Sequence, residues 1–229
     1  MKFLGLKSWV EIEHGYGVLR RVFNIVLFWS ILSAVLATPG AAQEKRLLIF
    51  GDSLVGGYGL PREAGFIAQL DRALEEAGQD VVLIDGGVSG DTSAGGRARI
   101  GWSLTERPTH ALVELGANDV LRGVNPKETK KNLQLILDSL EQAHVPVLLA
   151  GMRAPRNFGD DYADEFDDIY GDISRSKAVA LYPFFLDGVA LQPELNQPDG
   201  IHPNSKGVAI IVQRILPDIL NLLYRRPLR

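Results

Sequence analysis

The chain has 229 residues, 46% of them hydrophobic and 23% charged, with twelve prolines; that is enough for one compact domain with a sizeable core and too apolar for a disordered chain. A net charge of −4, with no local basic patch to offset it, makes nucleic acid an unfavourable partner. The absence of cysteine excludes a disulfide framework, a zinc-thiolate site, an iron–sulfur cluster, a cysteine nucleophile and a lipoprotein anchor, so any chemistry must use oxygen and nitrogen groups.

In chain order, the first pattern is an apolar run from Val22 to Ala37, preceded by Arg20-Arg21 and followed by Thr38-Pro39-Gly40-Ala41-Ala42. A charged segment, an apolar core and a small-x-small end make a secretory signal, with cleavage expected after Ala42. The run is short for a bilayer span, which needs about 20 apolar residues, so an uncleaved N-terminal anchor is the competing reading. Met1 to Gly17, with Glu11 and Glu13, is long and mixed in charge for a signal's first region, which suggests a translation start near Val18. Cleavage after Ala42 leaves residues 43–229 as the exported domain, with 20 basic and 26 acidic side chains. Export implies the bacterial periplasm and no stable membrane insertion once the signal is gone.

From Arg46 onward, short apolar runs alternate with helical periodicity. Leu47–Phe50 is the first run, and strands this continuous in hydrophobicity fit a parallel sheet buried on both faces. Gly51-Asp52-Ser53-Leu54 follows it, then Val55-Gly56-Gly57-Tyr58-Gly59. A serine at a strand end beside glycines suits an exposed nucleophile, and it equally suits a glycine-rich turn with a helix-capping serine. Phe66, Leu70, Leu74 and Ala77 then repeat at helical spacing.

Val81–Ile84 is the second run, and Gly86-Gly87-Val88-Ser89-Gly90-Asp91-Thr92-Ser93 follows it. Ala111–Leu115 is the third, followed by Gly116-Ala117-Asn118-Asp119. A glycine N–H and an asparagine amide could stabilise an anion without adding a titrating group. Taken singly, Asn118 and Asp91 could instead cap helices. Asn125-Pro126 with Glu128 opens a helix carrying Leu133, Ile136, Leu137 and Leu140. Val147–Ala150 and Ala178–Leu181 are the fourth and fifth runs. Between them, Met152 to Tyr162 mixes apolar, aromatic and basic residues, fitting either a substrate wall or an ordinary loop. Val208, Ile211, Val212, Ile215, Leu216 and Ile219 share one face of a closing helix that Pro217 should kink or end. The sum is an α/β, doubly wound, flavodoxin-like three-layer sandwich with about five parallel strands, whose ligands bind beyond the strands' carboxyl ends.

Among the four histidines, His14 falls in the leader, His110 precedes the third strand and His144 lies between a helix and the fourth strand. His202, in Asp199-Gly200-Ile201-His202-Pro203, has a carboxylate three residues away in a glycine-containing loop. That spacing lets Asp199 orient the imidazole while its other nitrogen faces a nucleophile. Pro203 favours the last helix starting immediately afterwards. No second histidine or compact carboxylate cluster accompanies His202, which argues against a metal.

Gly51-Asp52-Ser53-Leu54, Gly90 in Ser89-Gly90-Asp91-Thr92-Ser93, Asn118 in Gly116-Ala117-Asn118-Asp119, and Asp199-Gly200-Ile201-His202-Pro203 resemble, in order, the blocks of the SGNH (GDSL) hydrolases. The longer stretches resemble the family's bacterial arylesterase and acyl-CoA thioesterase–lysophospholipase group. Ala117 departs from the glycine more usual there. The resemblance implies a serine esterase acting on carboxylic ester or thioester bonds, with small-molecule or lipid ester substrates and no cofactor. It further implies Ser53 as nucleophile, His202 as general base then acid, and Asp199 as the residue orienting His202. The backbone N–H groups of Ser53 and Gly90 and the Asn118 amide form the implied oxyanion hole. Asp52 is then not the catalytic carboxylate; it holds the loop through backbone hydrogen bonds. A carbohydrate O-deacetylase and a non-catalytic flavodoxin-like binding module are the alternatives.

Overall fold

The structure, a computed structural model, describes residues 44–224. In chain order its elements are β1 (Lys45–Gly51), α1 (Ser53–Gly56), α2 (Phe66–Glu76), β2 (Val81–Gly87), α3 (Ser93–Leu104), β3 (His110–Glu114), α4 (Ala117–Leu121), α5 (Pro126–Gln142), β4 (Val147–Ala150), α6 (Asp160–Lys177), β5 (Ala180–Tyr182) and α7 (Ser205–Leu223). The strands form one parallel sheet in the order β2-β1-β3-β4-β5.

The chain moves from β1 to β2 in one direction and then steps back across β1 to β3. Right-handed crossovers therefore put α2 on one face of the sheet and α3 on the other. α7 packs against α2, and α5 packs between α3 and α6 on the opposite face. The reversal lies between β1 and β3, so their carboxyl ends flank the crevice where ligands enter such sheets.

The apolar spacings explain which helix faces are covered. Phe66, Leu70 and Leu74 of α2 are buried, as are Leu133, Ile136, Leu137 and Leu140 of α5. Asn125 caps α5 by accepting a hydrogen bond from the Lys127 N–H at 2.9 Å, with Pro126 in the first turn where no amide hydrogen is needed.

Four expectations require correction. β2 is an edge strand with Val82 exposed rather than a strand buried on both faces, because only β1 pairs with it. β5 starts at Ala180, since Ala178 takes a left-handed conformation that closes α6. Pro217 does not end α7, which runs on to Leu223; burial of Ile219, Leu222 and Leu223 offsets an internal proline's cost of about 3 kcal/mol. It begins at Ser205, capped by Asn204 accepting from the Lys206 and Gly207 N–H groups, not directly after Pro203. The leader read over residues 1–42 lies outside the described residues.

Candidate active site

Ser53 is the first residue of α1, two residues beyond the end of β1, and α1 is capped by Asp52, whose Oδ1 accepts the Leu54 N–H at 3.0 Å. The capping residue is therefore the aspartate, which leaves the Ser53 hydroxyl available for another partner. Ser53 Oγ lies 2.9 Å from His202 Nε2, across 149 positions of sequence.

The loop before α7 builds the other half. Asp199 Oδ1 accepts the N–H groups of Ile201 at 2.9 Å and His202 at 3.0 Å, which curls the loop around the carboxylate. Asp199 Oδ2 then lies 2.8 Å from His202 Nδ1. The backbone N–H groups of His202 and Ile201, followed by the imidazole, hold the Asp199 carboxyl down to about 2, so it is ionised at any ordinary pH. Nδ1–H directed at Asp199 leaves Nε2 as the acceptor facing the Ser53 hydroxyl, an arrangement that can remove the serine proton.

Two residues that the sequence did not single out support this loop. The Tyr58 ring stands 4.6 Å from the His202 ring, centroid to centroid. Gln197 donates from Nε2 to the Tyr58 and Pro203 carbonyls at 2.8 and 3.0 Å, while its N–H donates to the His202 carbonyl at 2.7 Å. It stitches the histidine loop to the loop after α1. Tyr58 had one local signal, an aromatic amid glycines; Gln197 had none.

Gly90 sits in the turn after β2 and Asn118 in the first turn of α4, just after β3, at the same end of the sheet as Ser53. Neither Asp91 nor Asn118 caps a helix. Thr92 caps α3, its Oγ1 accepting from the Gly95 N–H at 3.2 Å, and Asp91 pairs with Arg99 at 2.6 Å. Asn118 Nδ2 donates to Asp52 Oδ2 at 3.0 Å. The two turns are locked together. Arg122 donates to the Gly90 carbonyl at 2.8 Å, and buried Asp119 accepts from the Ser93 N–H at 2.8 Å, the Ser93 hydroxyl at 2.5 Å and the Thr129 hydroxyl at 3.1 Å. Gly116 has φ 123°, and a Cβ there would run into the Tyr170 hydroxyl, so only glycine turns the chain tightly enough to present Asn118.

Beneath the site, Arg99 reaches three segments at once. Its guanidinium donates to Asp91 at 2.6 Å and to the Gly86 and Gly51 carbonyls at 2.9 Å each, and lies 4.0 Å over the Phe50 ring. Glu114, at the end of β3, is fully buried, and its Oε2 accepts the Asp52 N–H at 3.4 Å. Burial, reinforced by the neighbouring Asp52 charge, pushes Glu114 well above the usual carboxylate range, which favours its neutral form.

The segment from Met152 to Tyr162 divides. Met152 and Ala154 are buried and cannot line an open wall, whereas Phe158 is exposed and 5.7 Å from the Tyr162 ring. The Tyr162 hydroxyl donates to the Val124 carbonyl at 2.9 Å, fastening this segment to the turn beyond Asn118. A separate groove of about 600 Å³ runs between α2 and the β2 edge; it touches Val55, Gly56 and Gly57 but not Ser53 or His202. His110 is buried, with Nδ1 2.9 Å from the Thr109 hydroxyl, and His144 turns the chain after α5; neither joins the site. Among the described residues, no group of three or more His, Asp or Glu side chains is arranged to hold a metal.

Comparison with known proteins is consistent with this geometry. Residues 49–210 match the model of the GDSL-like lipase/acylhydrolase family. The chain is similar to an arylesterase of Vibrio mimicus, 38% identical over 204 residues that cover 89% of this chain and 99% of that protein. It is also similar to thioesterase 1/protease 1/lysophospholipase L1 of Escherichia coli K12, 40% identical over 185 residues, 80% of this chain and 88% of the relative. Among solved structures it resembles AlinE4, an esterase of the SGNH-hydrolase family, with TM-score 0.67, 41% identity and coverage of 81% and 100% of the two chains.

Proposed function

The chain belongs to the GDSL-like lipase/acylhydrolase family and is an ester-hydrolysing serine hydrolase, and from that premise we propose that Ser53, His202 and Asp199 carry its reaction. The observation behind the assignment is the continuous path from Ser53 Oγ to His202 Nε2 and from His202 Nδ1 to Asp199 Oδ2, at 2.9 and 2.8 Å.

The reaction follows from that path. As Ser53 Oγ bonds to the acyl carbon, His202 Nε2 takes the hydroxyl proton, and the carbonyl oxygen becomes an anion. That anion is held by the N–H groups of Ser53 and Gly90 and by the Asn118 amide. When the carbon–oxygen or carbon–sulfur bond to the leaving group breaks, His202 returns its proton to the departing alcohol or thiol. Water then attacks the acyl-enzyme, His202 takes a proton from it, the bond to Ser53 breaks, and the proton returns to Oγ as the acid leaves. Asp199, ionised throughout, stabilises the imidazolium at each stage.

The substrates are carboxylic esters or thioesters with a small or medium acyl part, which the exposed Tyr58 beside His202 would accompany. The leader pattern supports export to the periplasm, where an acyl-CoA is a poor candidate for the natural substrate. The relatives' esterase character does not favour a flavodoxin-like binding role or a carbohydrate O-deacetylase.

The test is turnover of 4-nitrophenyl acetate, longer acyl esters, lysophospholipid and acetylated sugar by the wild type, Ser53→Ala and His202→Ala. We expect both variants to keep their fold and lose turnover; ordinary turnover by purified Ser53→Ala would refute the assignment.

A further inference from the structure

The reaction above gives Asp52 no task, although this carboxylate is fully buried beside the nucleophile. Its two oxygens face different elements. Oδ1 takes the Leu54 N–H at 3.0 Å and so fixes the first turn of α1, which carries Ser53. Oδ2 takes a hydrogen of the Asn118 amide at 3.0 Å, across the crevice between β1 and β3. An amide nitrogen carries two hydrogens in one plane, so committing the first to Asp52 sets the direction of the second.

What lies under Asp52 makes this arrangement stiff. A Cβ on Gly51 would come within 2.6 Å of the Glu114 carbonyl and 2.7 Å of its carboxyl, so the Glu114 side chain fills the floor. Glu114 Oε1 is buried without a hydrogen-bond partner, a cost the fold carries at this one place among the described residues.

We infer that Asp52 is a positioning residue for ester hydrolysis: one carboxylate grips both the turn bearing Ser53 and the Asn118 amide, and so fixes the separation and direction of nucleophile and oxyanion donor. This rests on the assignment of Ser53 and Asn118 made above. Burial raises the Asp52 carboxyl to about 6, with the Leu54 N–H, the Asn118 amide and His202 acting to lower it, so it is ionised at pH 8.

Two substitutions separate the bonds. Asp52→Ser retains a helix-capping oxygen for the Leu54 N–H but is too short to reach Asn118; Asp52→Asn retains volume and loses charge. Both are made in the wild type and in Asn118→Ala, and 4-nitrophenyl acetate hydrolysis is measured at pH 8, with active sites counted by a fluorophosphonate so that unfolded protein does not enter the rate. We expect each to lower kcat about 10- to 100-fold with KM changed less than about threefold in the wild type, and to lower it less than about threefold further in Asn118→Ala. Equal losses on both backgrounds, or no loss in the wild type, would overturn the inference.

The unmodified protein supplies a second measurement. The Asn118 side-chain amide in an ¹⁵N spectrum, assigned by its disappearance in Asn118→Ala, should show one proton shifted downfield and slow to exchange. A proton pair at the shifts and exchange rates of a free asparagine side chain would also overturn the inference. Failure of the fluorophosphonate to label Ser53 in the wild type would instead remove the nucleophile assignment.

Discussion

A tetrahedral intermediate concentrates negative charge on one oxygen, so each donor aimed at that oxygen contributes more in the transition state than in the ground state. In the proposed reaction Asn118 would meet the requirement with an uncharged amide, which donates to Asp52 at 3.0 Å. We predict that Asn118→Ala lowers kcat about 10²- to 10³-fold in steady-state ester hydrolysis while the fluorophosphonate still labels Ser53; an unchanged kcat would reduce Asn118 to a structural role. Glu114 titrates in the opposite sense to Asp199. Its folded-state affinity for a proton is raised above that of the unfolded chain, so as pH rises past the ordinary glutamate range the unfolded state releases a proton that the folded state keeps, and stability falls. Glu114→Gln removes this term with little change in shape. Urea unfolding should therefore show the variant gaining on the wild type between pH 4 and pH 8, and a gap that is constant with pH would show that Glu114 is ionised in the fold.

At the level of elements, α3 does more than cover the sheet. From its second turn Arg99 holds the carbonyl end of β1, the carbonyl end of β2 and Asp91 beside Gly90, so one side chain keeps two strand ends in register under the site. Truncation would leave the Gly51 and Gly86 carbonyls without this donor and Asp91 without its cation. Arg99→Ala should cost about 2–4 kcal/mol in chemical denaturation and lower kcat about tenfold, with Arg99→Lys in between, because an ammonium cannot reproduce the planar fork. Wild-type values for Arg99→Ala would mean that β1 and β2 hold their ends without it. α1 and β2 also meet closely. A Cβ on Gly87 would lie 2.7 Å from the Gly56 backbone, so Gly87 at the end of β2 lets α1 and β2 touch. The continuous α7 belongs to this scale too, since its apolar face against α2 and the sheet outweighs the preference of one proline.

For the molecule as a whole, a parallel sheet brings every strand-end turn to one edge, which is why four short polar blocks far apart in sequence face one crevice. Among the described residues no helix is long and apolar enough to cross a membrane. If the N-terminal apolar run is a cleaved signal, the protein recovered from the periplasmic fraction of an expressing bacterium should begin at Gln43, as intact-mass measurement and N-terminal sequencing would read. A precursor retained whole in the membrane fraction would mean an anchor.

The alternation of five apolar runs with amphipathic helices was legible because a strand buried in a parallel sheet and a helix lying on it each write their own period into the chain. Asp199 and His202 were legible for a similar reason, since a three-residue spacing lets one carboxylate reach both the backbone and the ring of the same loop. The exposure of β2, the persistence of α7 past Pro217 and the late start of β5 were not legible, because each depends on which neighbour an element packs against. The roles of Gln197, Arg99 and Glu114 were hidden for the same reason. Sequence by itself determined the elements, their order and the kinds of group at each strand end. Only the tertiary structure decided that β1 lies between β2 and β3, bringing Ser53 within 2.9 Å of His202 and Asp52 within 3.0 Å of Asn118. Local periodicity is a property of neighbours along the chain, whereas these distances depend on crossovers that close through space.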